Sequence, residues 1–408
     1  MTNSKPQQQL GPAPNTRGQI PTHLRGILSL CDLESAARRV LPRPIFGYLQ
    51  GGVEDNVSLH ANVSAYRRWL LRTNVLVDVS ARSQERELMG RSYRSPFGVA
   101  PMGLCAMFAF DGDVAIAGAA EQAGIPYVLS GASLTRMERV AKAAPTCGWF
   151  QAYIPGEPAH IEGLLERVEN AGFQTLVITV DTATLANREN NVRVGFTTPL
   201  RPSLRLAGDG LARPRWLLNT LVRTLLKHGM PHFENAGKDR GVPIISASAV
   251  RQFGLRDHLS WEHLALIRQR WRGQLVVKGL ISASDVMRAE QIGADGVILS
   301  NHGGRQLDGT APPLLVLSEA VKVKGNMALM IDSGIRRGTD VLKALALGAD
   351  FVFVGRPMAY AAAVGGRRGV KHTIELLRQE IHRDMALLGI SDLAELSSEH
   401  LIPAPSGL

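Results

Sequence analysis

Long hydrophobic runs are missing from this chain of 408 residues. No stretch approaches the ~20 apolar residues that a membrane-spanning helix needs. The N-terminal stretch MTNSKPQQQLGPAPNTRGQIPTHLRG lacks the apolar core of a signal peptide, so we expect neither a leader nor an anchor there, and a disordered tail over residues 1–29. Cysteine is also scarce. Cys31, Cys105 and Cys147 share no metal-ligand spacing and cannot all pair, so we expect no metal site and a reducing, cytoplasmic compartment.

Aromatic residues make up only 5% of the chain, whereas there are 41 glycines and 45% of the residues are hydrophobic. This composition favours a repetitive strand–loop–helix protein over a sandwich. The chain is basic, with a net charge of +10 and an isoelectric point of about 9.8. The charge is uneven, because residues 201–240 contain eight Lys or Arg against three acids. A basic module that binds nucleic acid or a membrane without catalysis is therefore one alternative to an enzyme.

Eight short apolar runs that end in small or polar residues recur along the chain. They are PFGVAPMG (96–103), PYVLSG (126–131), GWFQAY (148–153), TLVITVD (175–181), QLVVKG (274–279), GVILSN (296–301), ALMIDSG (328–334) and FVFVGRP (351–357). Amphipathic stretches separate them, as in HIEGLLERVENAG (160–172). Continuous apolar strands that alternate with helices indicate a parallel sheet covered on its faces. Eight units predict an α/β fold of the (β/α)8 TIM-barrel type, with an open α/β sheet as the alternative.

One unit of the predicted barrel is irregular. After TVD the chain runs through residues 182–260 before the next convincing helix, so we predict a long insertion in loop 4. Residues 30–95 precede the barrel, and we predict that they form helices and one strand that covers the barrel; we call them the lead-in. We therefore expect one domain over residues 30–403.

Polar residues cluster where the predicted strands end, and such barrels build their active sites at that end. Burying so many polar groups is costly unless they bind one another or a ligand, which predicts a functional site. The candidates are Pro101, Met102, Gly103, Ser130, Gln151, Tyr153, Thr179, Asp181, Lys278, Ser300, Asn301, His302, Asp332, Ser333, Gly334, Arg336, Gly355 and Arg356.

Glycine and arginine follow the last two strands, in DSGIRRG and VGRP. Backbone N–H groups at Ser333, Gly334 and Gly355, with a guanidinium fork from Arg356, suit a phosphate dianion. Barrels commonly bind phosphate at these two strands, so the sequence predicts a phosphate site.

Three further features predict chemistry. Lys278 ends an apolar strand, and three roles are open to it. It could be a Schiff-base nucleophile, as in lysine-dependent aldolases, a cation that faces an anionic cofactor, or the partner of an acid in the barrel. His302 and Asp181 suit a general base and the carboxylate that orients it. Arg188 and Arg305 would bind a substrate carboxylate and orient it against the histidine.

These residues resemble the FMN-dependent L-2-hydroxy acid oxidising enzymes, which include glycolate oxidase, lactate oxidase and the membrane-associated lactate and mandelate dehydrogenases. The signature SNHGGRQLDG (300–309) carries the resemblance, together with LPRPIFGYLQGGVED, VAPMGL, FQAYI, TVDTATLANRE, VVKG, IDSGIRRGTDVLKALALGAD and VGRP. It extends over nearly all of residues 32–401.

The resemblance implies that FMN is the cofactor and a small 2-hydroxy acid the substrate. His302 would be the catalytic base supported by Asp181, and Arg188 and Arg305 would bind the substrate carboxylate. Tyr48 and Tyr153 would hydrogen-bond the substrate. Lys278 would stabilise the anionic reduced ring. The remaining implied cofactor contacts are Pro101, Met102, Gly103, Ser130, Gln151, Thr179, Ser300, Asp332, Ser333, Gly334, Arg336, Gly355 and Arg356.

Two positions depart from the oxidase pattern. Ala132 stands where glycolate oxidases have a tryptophan. Gly103 stands at a position where dehydrogenase members of the family have glycine. The resemblance therefore implies a dehydrogenase that passes electrons to a quinone or another acceptor, with an oxygen-using oxidase that produces hydrogen peroxide as the alternative. It also predicts room for a bulky, lactate- or mandelate-like substrate, unless a residue of loop 4 fills the space.

The segment LARPRWLLNTLVRTLLKHGMPHF (211–233) combines leucines at helical spacing with arginine and lysine. Such a pattern is typical of a helix lying on an anionic membrane surface, although a helix that covers the barrel or a subunit contact is the alternative. Similar insertions in the membrane-associated relatives favour peripheral attachment to the cytoplasmic face through residues 205–232. We further expect a homo-oligomer, a tetramer, and no nucleic-acid partner.

Overall fold

A computed structural model describes residues 20–154, 156–197, 200–201, 203–248 and 256–405. Eight parallel strands close into a barrel, in the order β7-β8-β1-β2-β3-β4-β5-β6. The strands are β1 Phe97–Val99, β2 Tyr127–Ser130, β3 Gly148–Ala152, β4 Thr175–Thr179, β5 Gln274–Leu280, β6 Gly296–Leu299, β7 Ala328–Ile331 and β8 Phe351–Val354. The predicted (β/α)8 barrel is confirmed, and each strand lies within or one residue beyond its predicted run.

A helix packs outside the barrel after each strand. These helices are α1 Gly112–Ala123, α2 Met137–Ala143, α3 Pro158–Asn170, α4 Trp261–Arg270, α5 Ala283–Gln291, α6 Pro313–Val323, α7 Gly338–Ala346 and α8 Arg356–Leu388. Serine side chains cap two of them, since Ser260 Oγ accepts from Glu262 N–H and Ser282 Oγ from Asp285 N–H. Every residue of β2, β4, β6 and β8 is buried, as expected for strands covered on both faces.

Large side chains fill the barrel interior. Trp149, Phe351 and Phe353 pack there, and Leu88 and Tyr93 belong to the same buried cluster. The last two come from a hairpin formed by Arg86–Leu88 and Arg91–Tyr93, which precedes β1. The hairpin closes the amino-terminal end of the barrel, so ligands have access from the carboxyl ends of the strands.

The lead-in contains the helices Asp32–Val40, Arg43–Gln50 and Val57–Ser64. It also contains the strand Trp69–Leu71, which pairs antiparallel with Leu401–Pro403. The predicted tail over residues 1–29 is wrong for residues 20–29, because Leu24 and Ile27 are buried and His372 Nε2 lies 2.9 Å from the Ile27 carbonyl oxygen. Residues 1–19 lie outside the described residues.

Loop 4 contains helices at Glu189–Val194 and Leu204–Leu211, and a continuous helical segment over 214–228 whose middle, Leu217–Val222, is π-helical. We call this segment the loop-4 helix. Its inner face covers the barrel, since Trp216 is buried and its Nε1 donates to the Met107 carbonyl at 2.8 Å. Its outer face exposes Leu218 and Leu226, at 61% and 81%. The alternative of a helix that covers the barrel is thus confirmed for the inner face, and the outer face leaves apolar side chains exposed.

Among the residues that the structure describes, no helix has the length and apolar character needed to cross a membrane.

Candidate active site

His302 and Asp181 meet at the carboxyl end of the barrel. Nδ1 of His302 lies 2.9 Å from Oδ1 of Asp181, which follows β4. The histidine adopts a left-handed backbone with φ of 58°, and its N–H donates to Ser300 Oγ at 3.0 Å. Because Asp181 accepts a proton held on Nδ1, Nε2 is left as the basic nitrogen of the neutral ring. The predicted base and orienting carboxylate are therefore in contact.

Burial lowers the pKa of His302 below its ordinary value, against the opposing attraction of Asp181. Lys278 and Arg188 lower the pKa further through repulsion of the imidazolium. Burial raises the pKa of Asp181, but the charge and hydrogen bond of His302 together with the charge of Lys278 outweigh burial, so the pKa lies below its ordinary value. A neutral base beside a fixed negative charge is the state that general base catalysis needs at neutral pH.

Lys278 is buried and paired with a barrel acid. Its Nζ lies 2.9 Å from Oδ2 of Asp332 and 2.6 Å from Ser300 Oγ. Burial lowers the pKa of Lys278, but the attraction of Asp332 and Asp181 outweighs it, so the pKa lies above the ordinary value. A lysine nucleophile must be neutral, so this ammonium is suited to a fixed positive charge and not to a Schiff base.

Arg188 and Arg305 lie against each other across loops 4 and 6. Arg188 Nε donates to the Arg305 carbonyl at 3.1 Å, and its Nη2 donates to Gln306 Oε1 at 2.7 Å. Arg305 Nη1 donates to the carbonyls of Tyr48 and Gly51. The hydrogen bonds described here use Nε and Nη2 of Arg188 and Nη1 of Arg305, so both guanidiniums keep a further N–H group that can donate to a carboxylate. Burial and then the charge of Arg188 lower the pKa of Arg305 to about 10, as expected for cations placed together to bind an anion.

Two tyrosines line the same region, and loop 4 supports both. Tyr48 packs under the Arg305 guanidinium, with 4.9 Å from the ring centroid to Cζ. Its ring also packs against that of Phe196, with 4.4 Å between the centroids and a tilt of 30°. The guanidinium of Arg256 lies over the ring of Tyr153, with 4.8 Å between Cζ and the ring centroid. Phe196 and Arg256 come from loop 4 and are buried.

One edge of the site is built from the ends of β1 to β4. Ser130 Oγ donates to Gln151 Oε1 at 3.1 Å, and the Gly131 N–H donates to the same oxygen. Gln151 Nε2 is buried and has no hydrogen-bond partner within the described part of the chain. This amide donor fits a ring that carries carbonyl oxygens, as the flavin ring does. The predicted cofactor residues Pro101, Met102, Gly103 and Thr179 belong to the same strand ends.

Strands β7 and β8 bring the predicted phosphate residues together. Ser333 and Gly334 have positive φ, and Ser333 Oγ accepts from the Gly303 N–H at 3.1 Å. Gly355 precedes α8, whose first turn has no side-chain cap, so its N–H groups suit an anion. The fork predicted for Arg356 is not seen, because its donors bind the carbonyls of Leu49, Gly51 and Gly303. Arg336 donates from Nη1 to the Ile335 carbonyl.

Other functional residues were missed by the sequence analysis. Asn301 was named there as a strand-end residue but given no role, and its side-chain amide exchanges two 2.8 Å hydrogen bonds with that of Asn62. Gln306 holds Arg188 and also donates to the Asp181 carbonyl at 3.3 Å. Gln306 lies within the signature SNHGGRQLDG, so its place beside Arg305 was an available signal. Arg256 and Asn62 carried no such signal, because their neighbours in space are remote in sequence.

A cavity of about 590 Å³ lies between the hairpin and the amino-terminal ends of the strands, at the opposite end of the barrel. Asp295 and Asp350 line it, and they pair with Arg268 and Lys324, each at 2.8 Å. Glu87 and Glu290 also line the cavity, which lies at the other end of the strands from the residues described above.

The chain matches known proteins over nearly its whole length. It is 37% identical over 377 residues to (S)-mandelate dehydrogenase of Pseudomonas putida, covering 92% of this chain and 94% of that protein. L-Lactate dehydrogenase of Stenotrophomonas maltophilia is also 37% identical, over 92% of this chain and 98% of its own.

Solved structures agree with these relatives. A structure of the monotopic membrane protein (S)-mandelate dehydrogenase superposes with a TM-score of 0.84 at 37% identity, over 93% of this chain and all of that one. Mandelate oxidase superposes with a TM-score of 0.75 at 33% identity, over 92% and 98%. The model of the FMN-dependent dehydrogenase family matches residues 37–403. The chain belongs to the FMN-dependent dehydrogenase family.

Proposed function

We propose that this protein oxidises an L-2-hydroxy acid, lactate- or mandelate-like, to the 2-oxo acid. The observation that carries the proposal is the contact between His302 and Asp181 beside the paired guanidiniums of Arg188 and Arg305. A base next to a carboxylate-binding pair suits a substrate whose hydroxyl is on the carbon next to its carboxylate. FMN, when bound, supplies the acceptor for the two electrons that leave the substrate.

The protein positions the substrate and moves one proton. Nη1 of Arg188 and Nη2 of Arg305 bind the carboxylate, which fixes the orientation of the neighbouring carbon. His302 Nε2 takes a proton from the substrate, and the ionised Asp181 stabilises the imidazolium that forms. Tyr48 and Tyr153 hydrogen-bond the substrate.

The residues that would hold FMN lie on two sides of this centre. Lys278 would place its positive charge beside the flavin ring and favour negative charge there, and its pair with Asp332 fixes the ammonium in place. Gln151 and Ser130 bind the ring edge, with Thr179 and the Pro101–Gly103 loop. The N–H groups of Ser333 and Gly334 and the first turn of α8 bind the phosphate, and Asp332 and Arg336 complete the group.

The loop-4 helix supports attachment to a membrane surface. Its outer face exposes Leu218, Leu225 and Leu226 next to exposed Arg223 and Lys227. An apolar stripe flanked by cations suits the interface of an anionic bilayer. We infer peripheral attachment to the cytoplasmic face, a membrane quinone as electron acceptor, and a homotetramer.

An absorption spectrum followed by anaerobic titration tests the proposal. We expect a yellow protein whose flavin is bleached by lactate or mandelate and is reoxidised by a quinone analogue much faster than by oxygen. A colourless protein that borohydride traps at Lys278 contradicts the dehydrogenase function. Rapid hydrogen peroxide formation by a protein that does not sediment with anionic vesicles makes it an oxidase instead.

A further inference from the structure

Ser333 follows β7 in a backbone conformation that serine rarely adopts. Its φ is 76°, and among the residues that the structure describes no other non-glycine residue has a positive φ as large. A left-handed conformation brings Cβ close to the following carbonyl, so glycine is the favoured residue there. A strained residue of this kind persists only where the surrounding structure holds it, and the strain points to a use for its side chain.

The hydroxyl of Ser333 joins two parts of the site. It accepts from the backbone N–H of Gly303 at 3.1 Å and donates to Oδ1 of Asp332 at 2.8 Å. Gly303 directly follows His302, the proposed base. The other carboxylate oxygen of Asp332 lies 2.9 Å from the ammonium of Lys278. One hydroxyl therefore links the loop that carries the base to the buried ion pair.

Lys278 closes these contacts into a ring. Its ammonium donates to Ser300 Oγ at 2.6 Å, and the same oxygen accepts from the backbone N–H of His302 at 3.0 Å. From the ammonium, one path of hydrogen bonds reaches the base loop through Ser300, and the other reaches it through Asp332 and Ser333. The base is thus held from two sides in a fixed position relative to the cation.

The backbone of loop 6, which contains the signature SNHGGRQLDG, needs such contacts because it is itself unusual. His302, Gly303 and Gly304 have positive φ in succession, at 58°, 67° and 72°. Each of their N–H groups donates to a side-chain oxygen, and the acceptors are, in order, Ser300 Oγ, Ser333 Oγ and Asn301 Oδ1. The first and third acceptors belong to loop 6, so Ser333 is the one of the three that ties this backbone to another strand.

We propose that the Ser333 hydroxyl is a positioning group for the base, because it fixes loop 6 against β7 and so holds His302 at the substrate. This inference rests on the proposed function and deepens it. The cofactor role proposed for Ser333 uses its backbone N–H, which glycine and alanine retain, so the hydroxyl can be tested separately. Arg305 has its own anchors on the carbonyls of Tyr48 and Gly51. Loss of the hydroxyl should therefore misplace the base and leave the contact with the substrate carboxylate.

Two replacements separate the hydroxyl from the backbone strain. Ser333→Gly removes the hydroxyl and relieves the strain, whereas Ser333→Ala removes the hydroxyl and keeps the strain. In the full-length, FMN-loaded protein both should lower the limiting rate of anaerobic flavin reduction by L-lactate or (S)-mandelate ~30-fold or more, as expected for a misplaced catalytic group. The dissociation constant of the 2-oxo acid product, followed by flavin absorbance, should change less than about threefold because the guanidinium pair is intact. Ser333→Cys keeps a weak donor and acceptor and should recover part of the rate.

Urea unfolding of the full-length protein without FMN gives a second readout that does not depend on activity. Ser333→Gly should unfold at a higher urea concentration than Ser333→Ala, because only glycine relieves the left-handed strain. Leu76→Gly is the matched control, since Leu76 also has a positive φ, of 59°, and its side chain is fully exposed. This control should raise the urea midpoint and leave the rate of flavin reduction unchanged.

The outcomes are distinguishable. The positioning role of Ser333 is overturned if Ser333→Gly reduces its flavin within about threefold of the wild-type rate, or if its rate and its affinity for the product fall to the same extent. It is also overturned if Ser333→Gly unfolds at a lower urea concentration than Ser333→Ala. Each of these results leaves the dehydrogenase function intact. A wild-type flavin that no 2-hydroxy acid bleaches overturns the proposed function itself.

Discussion

His302 and Asp181, which are 121 positions apart in the chain, are joined by a 2.9 Å contact between Nδ1 and Oδ1. The backbone N–H of the same histidine shares Ser300 Oγ with the ammonium of Lys278. One serine hydroxyl therefore connects the base to the buried cation, and the separate strands β4, β5 and β6 hold these groups in one arrangement.

Replacement of His302 by glutamine tests its role as the base. We expect FMN to remain bound, because the hydrogen bonds described for the cofactor residues do not use the imidazole. Anaerobic flavin reduction by substrate should fall by ~10²–10⁴, the usual contribution of general base catalysis. Stopped-flow absorbance measures this rate, and near-normal reduction in the variant would show that another group takes the proton.

The pH dependence follows from the direction of the His302 pKa. Since burial lowers this pKa, the neutral base persists below the ordinary value of 6.5, and catalytic efficiency should stay high to a pH below 6.5 before it falls. Asp181→Asn removes the attraction that raises the pKa, so the acid limb should move to still lower pH while the plateau rate drops. An acid limb that moves to higher pH in Asp181→Asn contradicts this arrangement.

The guanidinium pair can be tested with esters. Arg305→Lys keeps the charge but loses the fork, and it also loses the paired bonds to the carbonyls of Tyr48 and Gly51. We expect catalytic efficiency to fall ~10²-fold for 2-hydroxy acids, in line with the cost of a misplaced substrate, and to change little for their esters. Comparable losses for acids and esters would assign both arginines a structural role.

The buried pair of Lys278 and Asp332 predicts a stability effect. Asp332→Asn leaves the ammonium buried without its nearest carboxylate, and breaking such a pair costs about 3–5 kcal/mol. Urea unfolding of the FMN-free protein measures this cost. Glu166→Gln is the control, because its ion pair with Lys238 is largely exposed and should contribute about 0–1 kcal/mol. Equal stability of the two variants would show that Lys278 does not depend on Asp332.

The two faces of the loop-4 helix predict opposite phenotypes. Leu218→Ser combined with Leu226→Ser should reduce sedimentation with anionic vesicles, while turnover with a soluble dye and thermal stability stay unchanged. Trp216→Ala should cost about 3–5 kcal/mol, because it opens a cavity and removes the bond to the Met107 carbonyl. Unchanged vesicle binding in the double variant would assign membrane attachment to another surface.

We predict that deletion of residues 205–232 leaves a soluble enzyme that substrate still reduces. The deletion also removes contacts between the loop-4 helix and the barrel. Arg223 lies over the ring of Phe110 at 3.9 Å, and His228 Nε2 is 2.9 Å from Asp111 Oδ1. Because deletion uncovers this part of loop 1, we expect the shortened protein to be less stable than the wild type. Its flavin content and thermal midpoint measure the effect.

The sequence was sufficient to predict the barrel because each strand is a continuous apolar run closed by a polar residue. TLVIT in β4 and GVIL in β6 are buried at every position, and a short apolar run of this kind fits few structures other than a buried strand. Strand ends also predicted the contact between His302 and Asp181, since β4 and β6 flank β5 and their carboxyl ends lie at one edge.

Contacts that depend on loop conformation could not be predicted. The bonds of Arg356 to the carbonyls of Leu49, Gly51 and Gly303 arise because the helix Arg43–Gln50 ends over the barrel mouth, and no local pattern marks that position. Arg256 lies in a polar stretch with no periodicity, and only the return of loop 4 places it on Tyr153. The burial of Leu24 and Ile27 was missed because two apolar residues among polar ones resemble a tail.

Closure of the barrel by pairing β8 with β1 has a consequence for biosynthesis. Val352 pairs with Phe97, so the ring of strands is complete only after β8 has left the ribosome. The groups that would hold the flavin are distributed from β1 to α8, and a nascent chain that stops before Phe351 lacks both the pairing of β8 with β1 and the first turn of α8. Flavin uptake should therefore follow the synthesis of β8, and the appearance of bound flavin during synthesis should report the moment at which β8 pairs with β1.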